Sequence, residues 1–232
     1  MEKGYTGTQI LEDLSFAHNY NRFIKTLRDR FMPRKESQTV IDYGAGNGEF
    51  CLDSFQNVDF FAVEPDKYLK EKLRDKGINV LALKKFKNSS VDYVYSINVL
   101  EHIENDEEVL QEIYNVLAFN GKLLIYVPAF QFLWTGLDDQ VKHFRRYTKK
   151  SLSNKLKKSG FKINSLKYAD SVGFFVVALH KLLKRDVKLN KRNIILFDKI
   201  LFPLSRVLDR LLFESFFGKN IYAYAEKRNL HK

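Results

Sequence analysis

From Thr39 onward, short apolar runs alternate with stretches patterned as amphipathic helices, and this rhythm restricts the chain to an α/β fold built on a largely parallel sheet. Val40 to Tyr43 reads as a buried strand, glycines follow it, Glu49 to Gln56 reads as the first crossover helix, and Val58 to Val63 as the second strand. Asp66 to Lys76 predicts a charged helix closed by Gly77. A third strand over Ile78 to Leu83 and a fourth over Val91 to Val99 precede a helix over Asn105 to Leu117. The acids Asp106, Glu107 and Glu108 in its first turn suit the helix dipole. Asn120-Gly121 turns the chain into a fifth strand, Lys122 to Val127. Thr148 caps a helix over Lys149 to Ser159 that stops at Gly160, and Phe161 to Tyr168 alternates as a sixth strand.

The rhythm then changes. Ser171 to Leu183 is apolar, a basic segment holds Lys184, Arg185, Lys188, Lys191 and Arg192, and the periodicity predicts one long amphipathic helix from Asn193 to Phe216. Gly218 ends it, and Ile221 to Ala225 supplies a last short strand. The expected organisation is a helical cover over residues 1–38, a core over 39–170, a helical insertion over 171–217 and a closing strand within 218–232.

A chain of 232 residues is served by one hydrophobic core, and 45% hydrophobic with 29% charged residues describes a folding globular protein rather than a disordered one. Cys51 is the sole cysteine, so no disulfide can form within the chain, no Cys/His cluster with zinc spacing exists, and a reducing cytoplasm suits it. The opening MEKGYTGTQILEDL lacks the apolar run of a signal peptide, so export is not expected. The most apolar stretch, Ile194 to Phe217, is broken by Asp198, Lys199, Arg206, Asp209 and Arg210, which argues against a membrane span. The net charge of +11 favours encounter with polyanions, whether nucleic acid, anionic lipid or a phosphorylated substrate, although a lysine-rich surface also serves solubility.

Asp42-Tyr43-Gly44-Ala45-Gly46-Asn47-Gly48 lies where a strand turns into a helix, so the chain must bend tightly and bring bare backbone against a ligand. Glu64 ends the next strand about twenty residues on, where a carboxylate accepts hydrogen bonds from both hydroxyls of a ribose. A nucleoside-bearing cofactor is implied. Glu49 follows the third glycine, where a dinucleotide fingerprint needs a small residue and where a carboxylate would repel a pyrophosphate. Asp42 suits instead the cationic amino acid part of S-adenosyl-L-methionine.

VIDYGAGNG, AVEPD, VDYVYSINVLEHI and NGKLLIYVP, in that order from Thr39 to Pro128, resemble the successive signature segments of class I S-adenosylmethionine-dependent methyltransferases. The resemblance implies a Rossmann-like three-layer sandwich: a seven-stranded, mostly parallel sheet of order 3-2-1-4-5-7-6 with strand 7 antiparallel. The cofactor, leaving as S-adenosyl-L-homocysteine, would lie over the carboxyl ends of strands 1, 2 and 4. It further implies Gly44, Ala45 and Gly46 under the methionine part with Asp42, Tyr43 and Asn47 close by, Glu64 on the ribose and Pro65 beside the adenine. Asn98 and Val99 would pass beneath, and His102 would face the mouth. Many relatives carry an acid after strand 3 that binds the adenine amino group; here the chain reads Leu81-Ala82-Leu83-Lys84, so backbone around Ala82 and Leu83 would serve. NYNRF at 19–23 and LWTGLDDQVKHFRRYTKKSL at 133–152 resemble a narrower bacterial and archaeal subgroup often found beside cell-surface glycosylation genes. In it the N-terminal helix packs over the cofactor, bringing Tyr20 and Arg22 toward the methionine carboxylate, with plain helix packing as the other reading of Tyr20.

Methyl transfer from a sulfonium is an in-line displacement, so the protein has mainly to position and desolvate. No metal is expected. A general base is needed only for a hydroxyl or ammonium acceptor, and His102 or His143 could serve. Arg145 and Arg146, with Tyr147 beside them, could hold a phosphate or carboxylate on the acceptor; the alternative is that an arginine pairs with Asp138 or Asp139 and the histidine caps the next helix. Trp134 reads as a wall of the acceptor site or an anchor of the loop. The insertion, with Phe174, Phe175, Phe197, Phe202, Phe213, Phe216 and Phe217, could build a lid, a dimer face or a peripheral contact with a membrane surface. The expected activity is methyl transfer to a small-molecule or lipid-linked glycan acceptor. Alternatives are an RNA methyltransferase, for which the charge speaks but no appended RNA-binding motif does, and a non-catalytic cofactor-binding subunit.

Overall fold

The computed structural model describes residues 12–52, 57–183, 190–211, 214 and 216–228. Seven strands are present: β1 (Gln38–Tyr43), β2 (Val58–Val63), β3 (Asn79–Val80), β4 (Val91–Ile97), β5 (Leu117–Pro128), β6 (Phe161–Ala169) and β7 (Asn220–Lys227). They form one sheet of order β3-β2-β1-β4-β5-β7-β6. The pairs from β3 through β5 are parallel, whereas β7 runs antiparallel to both β5 and β6. Strand order and the reversed seventh strand agree with what the signature segments imply.

Eight helices accompany the sheet among the described residues: α1 (His18–Phe31), α2 (Lys67–Asp75), α3 (Asp106–Val116), α4 (Gly136–Gln140), α5 (Lys149–Lys158), α6 (Ser171–Leu182), α7 (Lys191–Leu196) and α8 (Phe202–Leu211), with a π turn at Phe197–Leu201. The period of two along β5 decides the layering. Leu123, Ile125 and Val127 face one side, packing with Leu110 and Ile113 of α3 and Leu152 and Leu156 of α5. Leu124 and Tyr126 face the other, with Ile24 and Leu27 of α1 and Leu73 of α2. Each fully buried aliphatic side chain of this kind stabilises the fold by about 2 kcal/mol, so alternation along one central strand fixes which helices lie on which face.

Three elements differ from the sequence pattern. Glu49 to Leu52 is a series of turns rather than a helix, and residues 53–56 of that expected helix lie outside the described residues. The carbonyls that would propagate the helix are taken by side chains: Arg28 Nη1 donates to Phe50 O and Cys51 O, both at 2.7 Å, and Tyr95 OH donates to Phe50 O at 2.9 Å. The third strand shrinks to Asn79–Val80, because the chain then turns through Leu83–Lys85 to bury Leu83 in the core. The long helix expected from Asn193 is continuous in αR conformation from Lys191 to Leu211 and differs from the pattern only in the π turn at Phe197–Leu201 set within it. Pro203, just after that turn, has no N–H to continue the ladder. Lys184, Arg185, Lys188 and Phe213 lie outside the described residues.

Candidate active site

The glycine loop leaves β1 at the carboxyl end of the sheet, the side where parallel α/β folds place ligands. Gly44 is held there on two counts. Its φ is +82°, and a Cβ on it would lie 2.3 Å from Val99 Cγ2 in the turn after β4, so only glycine lets the two crossings meet. Gly44 and Ala45 donate their N–H groups to Val63 O at 2.7 and 3.3 Å, stitching the loop to the end of β2. Glu64 completes the cradle: Oε2 accepts from Gly46 N at 2.8 Å and Oε1 from Asp66 N at 2.9 Å. Burial raises the Glu64 carboxyl above its ordinary value, opposed by those two N–H donors. Each carboxylate oxygen keeps a second acceptor site, the requirement for gripping a ribose. Asp42 lies beneath the loop, 2% exposed, with Cys51 Sγ 3.7 Å from Oδ2. Burial pushes it up to about 7, against the hydrogen bonds of Tyr95 and Cys51.

Above the loop, α1 begins without a side-chain cap of its own. Its first N–H groups are met from far along the chain: Asn19 N and Tyr20 N donate to Asp198 Oδ2 and Oδ1 at 2.9 and 2.8 Å, and Asn19 Nδ2 donates to Asp198 O at 2.9 Å. A carboxylate at a helix N-terminus is doubly favourable, as hydrogen-bond acceptor and as charge against the dipole. Asp209 of α8 does the same for α6, accepting from Asp170 N at 2.9 Å and Ser171 N at 3.0 Å. Asp198 and Asp209 therefore point inward and tie the insertion to the rest of the molecule. Lys219 follows suit, its Nζ 3.1 Å from Asp170 Oδ2.

The far end of the site is built by the turn after β4 and the loop carrying α4. His102 Nδ1 lies 3.0 Å from Val141 O, and His143 Nδ1 lies 2.7 Å from Asp138 Oδ1; the two rings meet edge to face at 4.5 Å. Arg146 grips Asp138 with both arms, Nε to Oδ1 at 2.8 Å and Nη2 to Oδ2 at 2.7 Å. Burial would raise Asp138, but the hydrogen bonds from His143 and Arg146 outweigh it and hold the carboxyl well below its usual range. Glu101 is 1% exposed, and burial pushes its carboxyl up to about 8. Burial, then the charge of His143 beside it, pushes His102 down to about 4.

A single cleft of 1340 Å³ joins these parts. Of the residues expected to hold the cofactor, Tyr20, Gly44, Ala45, Gly46, Asn47, Glu64, Pro65, Asn98, Val99 and His102 line it. Arg22 is exposed on α1, Asp42 and Tyr43 lie behind the loop, and neither Ala82 nor Leu83 borders the cleft. Among the residues expected at the acceptor, His143 and Arg146 line the cleft. Arg145 is turned away to Asp106 at 2.8 Å, Tyr147 OH donates to Asp106 Oδ2 at 2.7 Å, and Trp134 Nε1 donates to Asp139 at 2.9 Å with its ring against His143. The pairing of Arg146 with Asp138 is one of the two readings the sequence left open. Glu101 and Asp198 carry structural or chemical duties that the sequence reading did not assign. A lone acid within an apolar run, as at Asp198 between Phe197 and Lys199-Ile200-Leu201, is the signal that was available.

A model of the methyltransferase domain family matches residues 16–166. The chain belongs to that family. It is 28% identical over 141 residues to phosphoethanolamine N-methyltransferase 2 of Caenorhabditis elegans, covering 55% of this chain and 31% of that protein. It is 35% identical over 107 residues to an uncharacterized protein of Methanocaldococcus jannaschii, covering 45% and 46%. The chain thus spans a third to a half of the length of these curated relatives. Among solved structures, Haemonchus contortus phosphoethanolamine N-methyltransferase 2 in complex with S-adenosyl-L-methionine superposes with a TM-score of 0.59 at 19% identity, over 88% of this chain and 52% of that one. A SAM-dependent methyltransferase from Archaeoglobus fulgidus gives 0.59 at 18%, over 89% and 94%. The fold is the class I S-adenosylmethionine-dependent methyltransferase fold. Its cofactor fits the cradle: bare backbone at Gly44 to Gly46, a ribose acceptor at Glu64 and no small residue at Glu49 for a pyrophosphate.

Proposed function

We propose that this protein transfers the methyl group of S-adenosyl-L-methionine to a small polar molecule or the polar head of a lipid-linked one. The observation that carries this reading is the continuity of the cleft. It runs from Gly44 and Glu64 to Glu101, His102 and His143, under a roof formed by Val176, Val177 and His180 of α6 and by Phe197 and Leu201. At 1340 Å³ it exceeds the several hundred Å³ usual for one ligand and has room for a cofactor and an acceptor end to end.

When bound, the cofactor supplies a methyl group already activated as a sulfonium. The residues of this chain bind and orient. Glu64 anchors the ribose, the loop backbone supports the amino acid part, and the apolar roof excludes water from the reacting centre. His102 and His143 line the cleft beyond the glycine loop, which supports their contact with the acceptor. The names of the relatives that act on phosphoethanolamine support an acceptor that is small and polar.

The outer face of the insertion supports delivery from a membrane surface. Leu179, Leu182, Leu196, Ile200, Leu204, Val207 and Leu211 are exposed there, beside the exposed Lys181, Lys191, Arg192, Lys199 and Arg210, while Asp198 and Asp209 are buried. An apolar stripe rimmed by cations is the chemistry that seats a helix in an anionic interface. Among the described residues no helix is long and apolar enough to cross a membrane.

Calorimetric titration tests the reading. S-adenosyl-L-methionine and S-adenosyl-L-homocysteine should bind, and a nicotinamide dinucleotide should not. Glu64→Ala should weaken both by about ten- to a hundred-fold, the worth of hydrogen bonds to a charged acceptor. Unchanged affinity in that variant removes the proposed cofactor placement.

A further inference from the structure

Three side chains from two separate loops converge at the acceptor end of the cleft. Glu101 and His102 come from the turn after β4, and His143 comes from the loop after α4. One ligand atom from each lies within 4.8 Å of the other two, and His143 Nε2 is 3.9 Å from Glu101 Oε1. A divalent ion with bonds of about 2.1 Å holds neighbouring ligand atoms roughly 3 to 3.5 Å apart, so side-chain movements of up to about an ångström would close the set.

What surrounds the three residues suits that use. The Val141 carbonyl can only accept, so the Nδ1 of His102 that faces it at 3.0 Å carries the hydrogen and the lone pair resides on Nε2. The same holds for His143, whose Nδ1 faces Asp138 at 2.7 Å, a carboxylate kept ionised by the two-armed grip of Arg146. Imidazoles oriented through one nitrogen by a carbonyl and a carboxylate are the usual outer support of metal-binding histidines, and for His143 the other nitrogen, Nε2, faces Glu101 Oε1. Glu101 adds the independent observation: its Oε2 is buried with no hydrogen-bond partner, and the residue is 1% exposed on the wall of the cleft. A buried polar oxygen left without a partner is unfavourable, and a bound cation is one partner that would meet it.

We propose that Glu101, His102 and His143 form a site for a divalent transition metal, with its remaining coordination positions facing the acceptor. Two imidazoles and one carboxylate favour zinc, iron(II), manganese, cobalt or nickel over magnesium or calcium, which prefer all-oxygen shells. The site deepens the proposed function and rests on it only for the identity of the acceptor end. An ion here selects acceptors that present an oxygen ligand, such as a hydroxyl beside a second oxygen. Coordination acidifies that hydroxyl, whose proton leaves to solvent. The oxygen then forms the new O–CH3 bond as the C–S bond breaks, its electron pair remaining on sulfur.

The test uses the whole chain, stripped with a chelator and titrated with Co²⁺, followed by visible ligand-field absorption and by calorimetry. One equivalent should bind and give the absorption bands of a nitrogen- and oxygen-ligated ion. His143→Ala and Glu101→Gln should each weaken binding at least ten-fold, while the exposed-surface variant His18→Ala leaves it intact. Retained S-adenosyl-L-homocysteine binding in the two site variants shows that they are folded. Absence of stoichiometric binding in a protein that still binds S-adenosyl-L-homocysteine overturns the metal site alone, as does binding indifferent to His143→Ala. Cobalt binding without any cofactor binding instead upholds the metal site and removes the proposed methyl transfer.

Discussion

Gly44 shows how much a single position can carry. Its left-handed φ and the 2.3 Å approach that a Cβ would make to Val99 leave no room for a side chain. Gly44→Ala should therefore cost roughly 1–3 kcal/mol, read as a lowered urea midpoint, and should abolish cofactor binding by displacing the loop. Asp42, directly before it in the chain but one, is a different kind of constraint. Its carboxyl is raised from 3.8 to about 7 by burial, so the folded protein holds a proton there that the unfolded chain gives up. That preference stabilises the fold fully below the unfolded value, about 3.8, and is lost as pH rises through about 7. Asp42→Asn removes the dependence, so the stability of the variant relative to the parent should climb between pH 4 and pH 8. Denaturation curves at several pH values check this, and a flat difference would mean that Asp42 stays charged in the fold.

Between elements, the decisive contacts are the acids that cap helices across long sequence separations. Asp198, in the π turn, accepts from the first turn of α1, and Asp209, in α8, accepts from the first turn of α6. The insertion is thereby fastened to the N-terminal helix that roofs the cofactor end. Asp198→Ala should leave two N–H groups at the α1 terminus unmet, at a cost of about 1–2 kcal/mol. Faster amide hydrogen exchange confined to the start of α1 and to residues 191–201, together with weaker cofactor binding, is the expected result. Uniform exchange would mean that the two elements are held by apolar packing alone.

For the molecule as a whole, the insertion sorts charge by depth: Asp198 and Asp209 are buried, while Lys181, Lys191, Arg192, Lys199 and Arg210 are exposed beside Leu179, Leu182, Leu196, Ile200, Leu204, Val207 and Leu211. Vesicles containing an anionic lipid should sediment the protein at low salt and release much of it at about 0.5 M salt, where the electrostatic part is screened. Leu182→Glu combined with Leu211→Glu, at positions 79% and 67% exposed, should abolish sedimentation without altering cofactor binding. A protein that stays in the supernatant, or one that forms a dimer broken by the same pair of changes, assigns this face to another purpose.

What the sequence determined by itself is local in origin. The period-two and helical patterns, the glycine turn after a buried strand, the N-cap at Thr148 and the acid ending β2 all depend on near neighbours and on backbone geometry. Tertiary structure decided what depends on which distant segments meet. Residues 49–52 lost their helix to Arg28 and Tyr95, β3 shortened at the sheet edge, and Arg145 and Tyr147 turned to Asp106. Asp198 found its helix nearly the whole length of the chain away, and Glu101 was buried beside two histidines. The partner chosen by a charged side chain, and the degree to which it is stripped of water, are properties of a packed neighbourhood, and no run of consecutive residues encodes them.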